Sequence, residues 1–350
     1  MNDSDSIDEP TDELFAPIRT YLQGRLDAED LHLDDFARIA VGWSHETFLF
    51  DARWTDEGAT KTMPLCVRRD PGNALVREMS DLTEQFKVLR ALEKTDIPSP
   101  KAYWLEDDPS ILGGTFIVME KVDGVCPNPW GRDGRTFYED AAARGVLPNS
   151  FTDALAAIHN ADWRAAGLDF LGVPGPGQDF VLAEIAKWET LIEAAEHPAE
   201  PVLTDLIGWL KANAPSTDRL SLVHGAYRTG NMLVDHDRVS AVLDWELQVI
   251  GDPMYDVSYV LSDLNRQGSD LLSYLVERDA FIERYEAATG ITVNLDACRY
   301  YDLLYAMRSC AFWMSASGLF MSDQNTDLRL ARTAFSVPVV LDLAARHLGY

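Results

Sequence analysis

The stretch Leu222-Val223-His224-Gly225-Ala226-Tyr227-Arg228-Thr229-Gly230-Asn231 carries the pattern that decides the fold. Asn231 ends this stretch, and Asp244 follows thirteen residues later in Val242-Leu243-Asp244-Trp245-Glu246. Residues 231–235 and 239–244 are typical of two short strands, and residues 236–238 between them are typical of a turn. The sequence therefore predicts a tight hairpin that brings the side chains of Asn231 and Asp244 together at one end.

An amide oxygen and a carboxylate held side by side form a candidate Mg²⁺ site. Mg²⁺ takes few protein oxygens and fills its remaining positions with water and phosphate. The alternative is that Asn231 is a turn residue and Asp244 a surface carboxylate at a strand end. For either residue taken alone that alternative is the stronger one, so the prediction depends on the pair and its surroundings.

The first third of the chain is typical of a small antiparallel sheet with one inserted helix. A turn containing Gly113-Gly114 joins the last two predicted strands. The predicted strands cover residues 36–39, 47–54, 65–69, 102–105 and 115–120, and the predicted helix covers residues 75–94.

The rest of the chain is mainly helical by its apolar spacing, interrupted by the hairpin already described. We therefore predict an α+β protein with two lobes. Residues 1–13 form a disordered acidic tail, residues 14–122 an N-terminal lobe and residues 123–350 a helical C-terminal lobe. The predicted helices of the second lobe cover residues 151–160, 180–193, 201–212, 255–264, 271–289 and 297–319.

Composition restricts the partners. The 350-residue chain has a formal net charge of -27, which argues against nucleic acid or an anionic membrane as partner. Because the charges are spread along the chain, a solvated acidic surface is favoured over an acidic pocket for a cationic substrate. No apolar run reaches the roughly 20 residues of a membrane span, so a soluble cytoplasmic protein is expected. The cysteines, which match no metal or redox spacing, are expected to be reduced core thiols.

His224, Gly225, Asn231 and Asp244 stand at the spacing of the catalytic loop and metal-binding aspartate of a known superfamily. The chain resembles the aminoglycoside phosphotransferase and choline kinase-like superfamily, relatives of the protein kinases, over most of residues 35–320. It looks most like the branch linked to acyl-CoA dehydrogenases. The resemblance implies a two-lobed protein-kinase-like fold, with a small β-rich N-lobe and a larger helical C-lobe. It also implies transfer of phosphate from ATP, with Mg²⁺, to a hydroxyl group of a small molecule.

The catalytic loop departs from the family at one position. Ala226 stands where the family has its catalytic aspartate, and a methyl group cannot accept the proton of a hydroxyl acceptor. By resemblance Arg228 is the cation on the γ-phosphate, although a surface arginine is the plain alternative. His224 is expected to brace the loop. Asp256 resembles the acid that binds the loop backbone, with Asp252 as the competing candidate.

The resemblance assigns the phosphates and the adenine to the N-terminal lobe. Gly42, Ser44 and His45 lie in a segment that resembles the phosphate-covering loop, where backbone amides and a hydroxyl can donate to phosphate oxygens. Residues 116–124 resemble the hinge, whose backbone at Glu120 and Val122 is expected to meet the adenine edge. A plain hairpin turn and an edge strand are the alternatives for these two segments.

A cation for the α- and β-phosphates is expected at the end of the third strand. The family has a lysine there, and Arg68 replaces it, with Arg69 on the opposite face. A helix carboxylate should hold this cation, and Glu84 is the predicted residue. The family acid usually stands one residue later, where Gln85 is found, and Glu78 remains an alternative.

These residues favour an ATP-dependent phosphotransferase acting on an alcohol, with a hydroxy acid or hydroxyacyl thioester preferred as acceptor over an aminoglycoside or other antibiotic. Since Ala226 is the one departure within the catalytic loop and its metal-binding residues, an inactivating substitution is preferred over long-standing loss of function. A natural pseudokinase, a nucleotide-binding scaffold that works through partners, is the alternative from another class. A protein kinase is disfavoured because no activation segment of that type follows Asp244.

Overall fold

The computed structural model describes residues 12–39, 45–72, 81–195, 197–217, 219–266 and 268–349. The chain forms two compact units, Met1–Lys87 with Pro100–Val122, and Val88–Ser99 with Asp123–Tyr350. The segment Val88–Ser99, which the sequence analysis placed in the N-terminal lobe, is thus grouped with the second unit. Its contacts explain this grouping, because the Lys94 ammonium donates to the Ala166 carbonyl at 3.1 Å and Pro98 accepts from the Val242 amide at 2.8 Å.

The first unit contains an antiparallel sheet of five described strands in the order β1-β2-β3-β5-β4. All five predicted strands are confirmed, with different ends. Glu57 and Gly58 both have positive φ angles, which give the β2–β3 connection the tight two-residue turn that suits twisted strands. The strands are β1 (His32–Ile39), β2 (Glu46–Asp56), β3 (Ala59–Arg69), β4 (Ala102–Glu106) and β5 (Phe116–Glu120).

One face of this sheet is covered by a helix that the sequence analysis did not predict, α1 (Phe15–Leu26). Alternate residues of β2, among them Phe48 and Phe50, are fully buried and belong to the same apolar core as Ile18 and Leu22 of α1. The helix contains a proline and a glycine, both poor helix formers, and its stability comes from this burial.

The structure differs from the prediction at two other places in the first third of the chain. The helix predicted over residues 75–94 covers Leu82–Leu92 (α2) in the described part, and residues 73–80 lie outside it. The connection before β5 holds a single helical turn, α3 (Pro109–Leu112), instead of a simple turn. Gly113, with φ of 78°, ends this turn in the left-handed conformation that glycine adopts readily.

The second unit is mainly helical, as predicted. Its long helix α12 packs against α7, α8, α9, α13 and α14 and forms the centre of the unit. No helix in the described ranges has both the length and the apolar character required to cross a bilayer. The helices are α4 (Arg132–Arg144), α5 (Val146–Asn160), α6 (Trp163–Ala166), α7 (Asp179–Ala194), α8 (Pro201–Ala212), α9 (Met254–Leu261), α10 (Asp263–Arg266), α11 (Arg278–Thr289), α12 (Leu295–Met321), α13 (Leu328–Thr333) and α14 (Ser336–Leu348).

Two short antiparallel strand pairs lie among these helices. Strand β6 (Ser221–Val223) pairs with β9 (Val249–Gly251), and β7 (Met232–Asp235) pairs with β8 (Arg238–Val242). The β7–β8 turn consists of His236 and Asp237, both with positive φ, so it is one residue shorter than predicted. The hairpin sets Asn231 beside Leu243, whose amide donates to the Asn231 carbonyl at 2.8 Å.

The predicted helix over residues 271–289 begins only at Arg278. Ser273 and Tyr274 have φ angles of 50° and 59°, which end any right-handed helix, and an isolated bridge between Leu272 and Val276 closes the turn. The apolar spacing of residues 271–276 is typical of a helix, but in the structure these residues form this turn. The hydroxyl of Thr229 donates to the Ser273 carbonyl at 3.0 Å, so this hydrogen bond connects the turn to the loop of residues 224–231.

Candidate functional site

The loop of residues 224–231 starts from a buried carboxylate at the first turn of α9. One oxygen of Asp256 accepts the His224 amide at 2.7 Å, and the other accepts the Gly225 amide at 2.8 Å. The ring Nε2 of His159 lies 3.2 Å from the same carboxylate. Burial would raise the pKa of Asp256, but the hydrogen bond and charge of His159 outweigh it and lower the pKa, so the group is held ionised. The prediction that Asp256 binds the loop backbone is confirmed.

Asp252, the competing candidate, has a different task. Its carboxylate accepts the Met254 amide at 2.9 Å, the Tyr301 hydroxyl at 2.9 Å and the Thr217 hydroxyl at 3.2 Å. Burial raises the pKa of this carboxyl group, and the three donors oppose the rise. Asp252 therefore connects the start of α9 to neighbouring elements, whereas Asp256 binds the backbone of the loop of residues 224–231.

His224 is fully buried and braces the loop against the hairpin. Its Nε2 donates to the Leu243 carbonyl at 2.8 Å, and its Nδ1 accepts the Ala226 amide at 3.2 Å. Burial lowers the pKa of the imidazole, and both contacts suit the neutral ring. Because both ring nitrogens are engaged with the backbone, this histidine fits the bracing role predicted for it and is not available as a base.

Gly225 occupies a position that no side chain could share. Its φ angle is 83°, and a Cβ atom would lie 2.3 Å from the Leu247 carbonyl oxygen. Its own carbonyl accepts from Nη1 of Arg308 at 2.5 Å, while its amide is held by Asp256. Both ends of this residue are therefore fixed, and the position of Ala226 directly after it is fixed with them.

Arg308 is a buried cation that sequence reasoning missed. It lies on α12, and its guanidinium carbon is 4.3 Å from the ring centre of Tyr305 and 5.3 Å from that of Tyr259. Such ring faces attract a cation. Its pKa is raised, since neighbouring tyrosines outweigh the opposing effect of burial. The available signal was Arg308 as the one charged residue in residues 303–321 of α12, because an arginine is rarely buried without a partner.

Ala226, Asn231 and Asp244 are brought to one end of the hairpin. The Asn231 side-chain nitrogen donates to the Ala226 carbonyl at 2.9 Å, which leaves the amide oxygen of Asn231 as the atom that could bind a metal. Asp244 follows the Leu243 amide that binds Asn231, and its φ of 67° turns the chain sharply there. No group of three or more histidine, cysteine, aspartate or glutamate residues suited to a metal occurs in the described ranges. An amide oxygen plus one carboxylate fits Mg²⁺, which needs few protein ligands.

Arg228 lies on the same loop, two residues after Ala226, and is half-buried. Its guanidinium carbon is 4.3 Å from the ring centre of Trp130. No hydrogen-bond partner of its Nη1 atom occurs among the described residues. A cation in this setting suits an incoming anion. The γ-phosphate role of Arg228 stays a prediction.

Part of the predicted phosphate-covering loop lies outside the described residues. Gly42 and Ser44 belong to that part. Glu78, on the predicted helix, also lies outside the described residues. His45, the first described residue after the gap, is buried within the first unit. The three loop assignments stay predictions.

Arg68 and Arg69 end β3 in the first unit. Arg69 forms an ion pair with Glu46 on the neighbouring strand, and the same carboxylate also pairs with Arg38. Arg68 stays the predicted phosphate ligand. On α2, Gln85 is the buried residue and Glu84 is half-buried, so the side chain at the usual position of the family acid points inward but carries no charge. The pairing of Glu84 with Arg68 stays a prediction.

The predicted hinge lies at the end of β5. The Glu120 amide donates to the Lys101 carbonyl at 2.8 Å, and the Lys121 amide donates to the Pro64 carbonyl at 3.1 Å. Of the backbone of Glu120, only the carbonyl could therefore face an adenine edge. Val122 is the last residue of the first unit, and the contact of its backbone with the adenine stays a prediction.

Comparisons with known proteins show the family to which the chain is similar. A sequence model of the phosphotransferase enzyme family matches residues 35–301. Acyl-CoA dehydrogenase family member 10 of Mus musculus is 29% identical over 244 residues, which are 69% of this chain and 21% of that protein. Acyl-CoA dehydrogenase family member 11 of Rattus norvegicus is 30% identical over 197 residues, 55% of this chain and 24% of that protein. The chain thus spans about a quarter or less of the length of these two relatives.

The fold is shared with solved phosphotransferase structures. A protein of Ralstonia eutropha JMP134 classed with the aminoglycoside phosphotransferases has a TM-score of 0.65 at 22% identity, over 94% of this chain and 96% of that one. A thermostable mutant of the aminoglycoside phosphotransferase APH(4)-Ia, in complex with AMP-PNP and hygromycin B, has a TM-score of 0.57 at 17% identity, over 95% of this chain and 99% of that one. The predicted α+β kinase-like fold, with a small sheet lobe and a helical lobe, is confirmed. With the family match covering most of its length, the chain belongs to the phosphotransferase enzyme family.

Proposed function

We propose that the chain binds Mg²⁺ and ATP for phosphoryl transfer to a small-molecule hydroxyl group, and that it lacks only the carboxylate that would accept the hydroxyl proton. The observation that carries the proposal is the pair Asn231 and Asp244 beside the fixed backbone of Ala226. Use of ATP is further supported by the AMP-PNP complex of a structural neighbour.

In this proposal each of the site residues in the second unit has one role. Asn231 and Asp244 would hold Mg²⁺, which when bound neutralises charge on the phosphates and orients them. Arg228 would meet the γ-phosphate and balance the charge that develops during transfer. His224, Asp256 and Arg308 do no chemistry; they hold the loop so that residue 226 faces one fixed position.

The transfer step shows what Ala226 removes. The acceptor oxygen forms a bond to the γ-phosphorus as the bond from that phosphorus to the bridging oxygen of ADP breaks. The acceptor proton must leave, and an aspartate at position 226 would accept it and orient the attacking oxygen. A methyl group at that position can do neither, so the chain should bind nucleotide and transfer phosphate very slowly.

Ala226 also supports a second candidate, a pseudokinase that binds nucleotide and acts through partners. The alanine is 7% exposed and sits in an intact loop, so its presence costs the fold nothing visible. Retention of Asn231, Asp244 and Arg228 favours the disabled enzyme, because a scaffold needs no γ-phosphate cation.

The metal assignment predicts a large effect of Asp244→Ala on ATP affinity. We expect calorimetry to show ATP binding in Mg²⁺ that weakens about tenfold or more in the variant, since a charge-assisted metal contact is lost. Asp235→Ala removes a carboxylate from the opposite end of the same hairpin and is the matched control. Equal ATP affinity of the Asp244→Ala variant and the unaltered chain would remove Asp244 from the metal site.

The acceptor is predicted to be a hydroxy acid or its acyl thioester. This prediction rests on the acyl-CoA dehydrogenase relatives. The net charge of -27 argues for a polyamine instead. An Ala226→Asp variant, tested with hydroxy acids, their thioesters and aminoglycosides, is expected to turn over the first two classes. Turnover of aminoglycosides alone would reverse the assignment.

A further inference from the structure

The segment before α4 forms a rigid turn that holds one exposed tryptophan. The Trp130 amide donates to the Asn128 side-chain oxygen at 3.0 Å, and the Gly131 amide donates to the Asn128 carbonyl at 3.0 Å. The Tyr138 hydroxyl of α4 binds the Pro127 carbonyl at 3.0 Å. The backbone that carries Trp130 is therefore fixed at three points, although its side chain is 46% exposed.

This turn also touches the catalytic-type loop. The thiol of Cys126 donates to the Gly230 carbonyl at 3.2 Å. A Cβ atom on Gly230 would lie 2.2 Å from Nη1 of Arg228 and 3.0 Å from the Pro129 ring, so Gly230 is the surface on which both residues rest. The two segments meet through a glycine that leaves no room for a side chain.

Arg228 is clamped between these surfaces. Its Nη1 is buried against Gly230, and its guanidinium carbon lies over the Trp130 ring, 4.3 Å from the ring centre. A flexible arginine is thereby restricted to one orientation, in which Nη1 is turned into the protein. The opposite edge of the guanidinium is the side left to form parallel hydrogen bonds to the oxygens of an oxyanion.

We propose that Trp130 is a positioning residue for Arg228, and that its ring, acting with Gly230, aims the guanidinium at the transferred phosphoryl group. The inference rests on the proposed function, in which Arg228 meets the γ-phosphate. Trp130 itself touches no reacting atom. Because only ATP carries the γ-phosphate, the ring should contribute to ATP affinity and not to ADP affinity.

The test is the ratio of ATP affinity to ADP affinity, measured by calorimetry in Mg²⁺ with the full chain. We expect Trp130→Ala to lower this ratio about threefold to tenfold, the range of a ring–cation contact, with ADP affinity unchanged. Trp130→Phe should retain most of the ratio, and Trp130→Leu, which keeps an apolar side chain but no ring face, should not. Trp209→Ala is the matched control, since Trp209 is 36% exposed and stacks on Tyr300.

A double-mutant cycle separates positioning from general support. Arg228→Ala should lower the ratio by itself, and adding Trp130→Ala should then have no further effect. Additive losses, or an equal loss of ADP affinity, would overturn the positioning role. An unchanged ratio in Trp130→Ala, with a lowered ratio in Arg228→Ala, would overturn this inference and leave the proposed function in place. An unchanged ratio in both variants would remove the γ-phosphate role of Arg228, and with it the inference.

Discussion

Replacing Ala226 with aspartate is expected to raise ATP turnover in the presence of hydroxyl acceptors by about 10²- to 10⁴-fold, the usual contribution of a general base. The backbone at this position is fixed independently of its side chain, through Asp256 on one side and Asn231 on the other. The new carboxylate should therefore point where the family places its catalytic group. ATP consumption with a mixed pool of hydroxy compounds measures the gain.

The control is Ala226→Asn, which has nearly the same shape as aspartate but accepts a proton poorly. It should bind Mg²⁺ and ATP like the unaltered chain and show little of the gain. If Ala226→Asp binds ATP normally yet remains as slow as Ala226→Asn, the pseudokinase is favoured over the disabled enzyme. A tenfold rise corresponds to about 1.4 kcal/mol of transition-state stabilisation and already separates the two readings.

Removing the buried carboxylate of Asp256 is expected to cause the largest loss of stability. Asp256→Ala leaves the amides of His224 and Gly225 and the ring of His159 without their acceptor in a buried place. Each buried donor that loses its acceptor costs about 1–3 kcal/mol, and more when the lost acceptor was charged. Thermal and denaturant unfolding measured against the unaltered chain gives the difference directly.

Asp256→Asn tests the charge separately, because it keeps one acceptor oxygen. The pKa of Asp256 is lowered in the folded chain, so its ionisation stabilises the fold above the ordinary aspartate pKa of about 3.9, and this stabilisation is lost as the pH falls through the folded pKa. The stability difference between the unaltered chain and Asp256→Asn should therefore be constant near neutral pH and narrow in acid. A difference that grows in acid would contradict an ionised Asp256.

The hairpin that carries the two predicted metal ligands was predictable because the information is local. Residues 231–244 contain both strands, the turn and both predicted ligands, so spacing alone placed Asn231 near Asp244. The strands of the first unit were predictable for the same reason. The helix α1 was not, since its Pro17 and Gly24 weaken the helical pattern and only contact with the sheet supports it.

Residues that act across long sequence distances were missed. Arg308 meets Gly225 across 83 positions, and no local pattern connects the two. Trp130 is invisible for a similar reason, because its partner Arg228 is equally remote. The turn at Ser273 and Tyr274 was predicted as part of a helix because its residues form an apolar run. The positive φ angles of these two residues, which end a helix, cannot be read from that run. Tertiary contacts decided all three.

The proposed function depends on a metal ion held by Asn231 and Asp244 beside position 226. A crystal structure of the unaltered chain with AMP-PNP and Mn²⁺, which reveals the metal by its anomalous scattering, tests this most directly. We expect a metal peak at bonding distance, about 2.1 Å as for Mg²⁺, from the Asn231 amide oxygen and an Asp244 carboxylate oxygen. We also expect the γ-phosphate next to Arg228 and facing the Ala226 methyl group. A bound nucleotide whose metal contacts neither Asn231 nor Asp244 would rule out the proposed metal site.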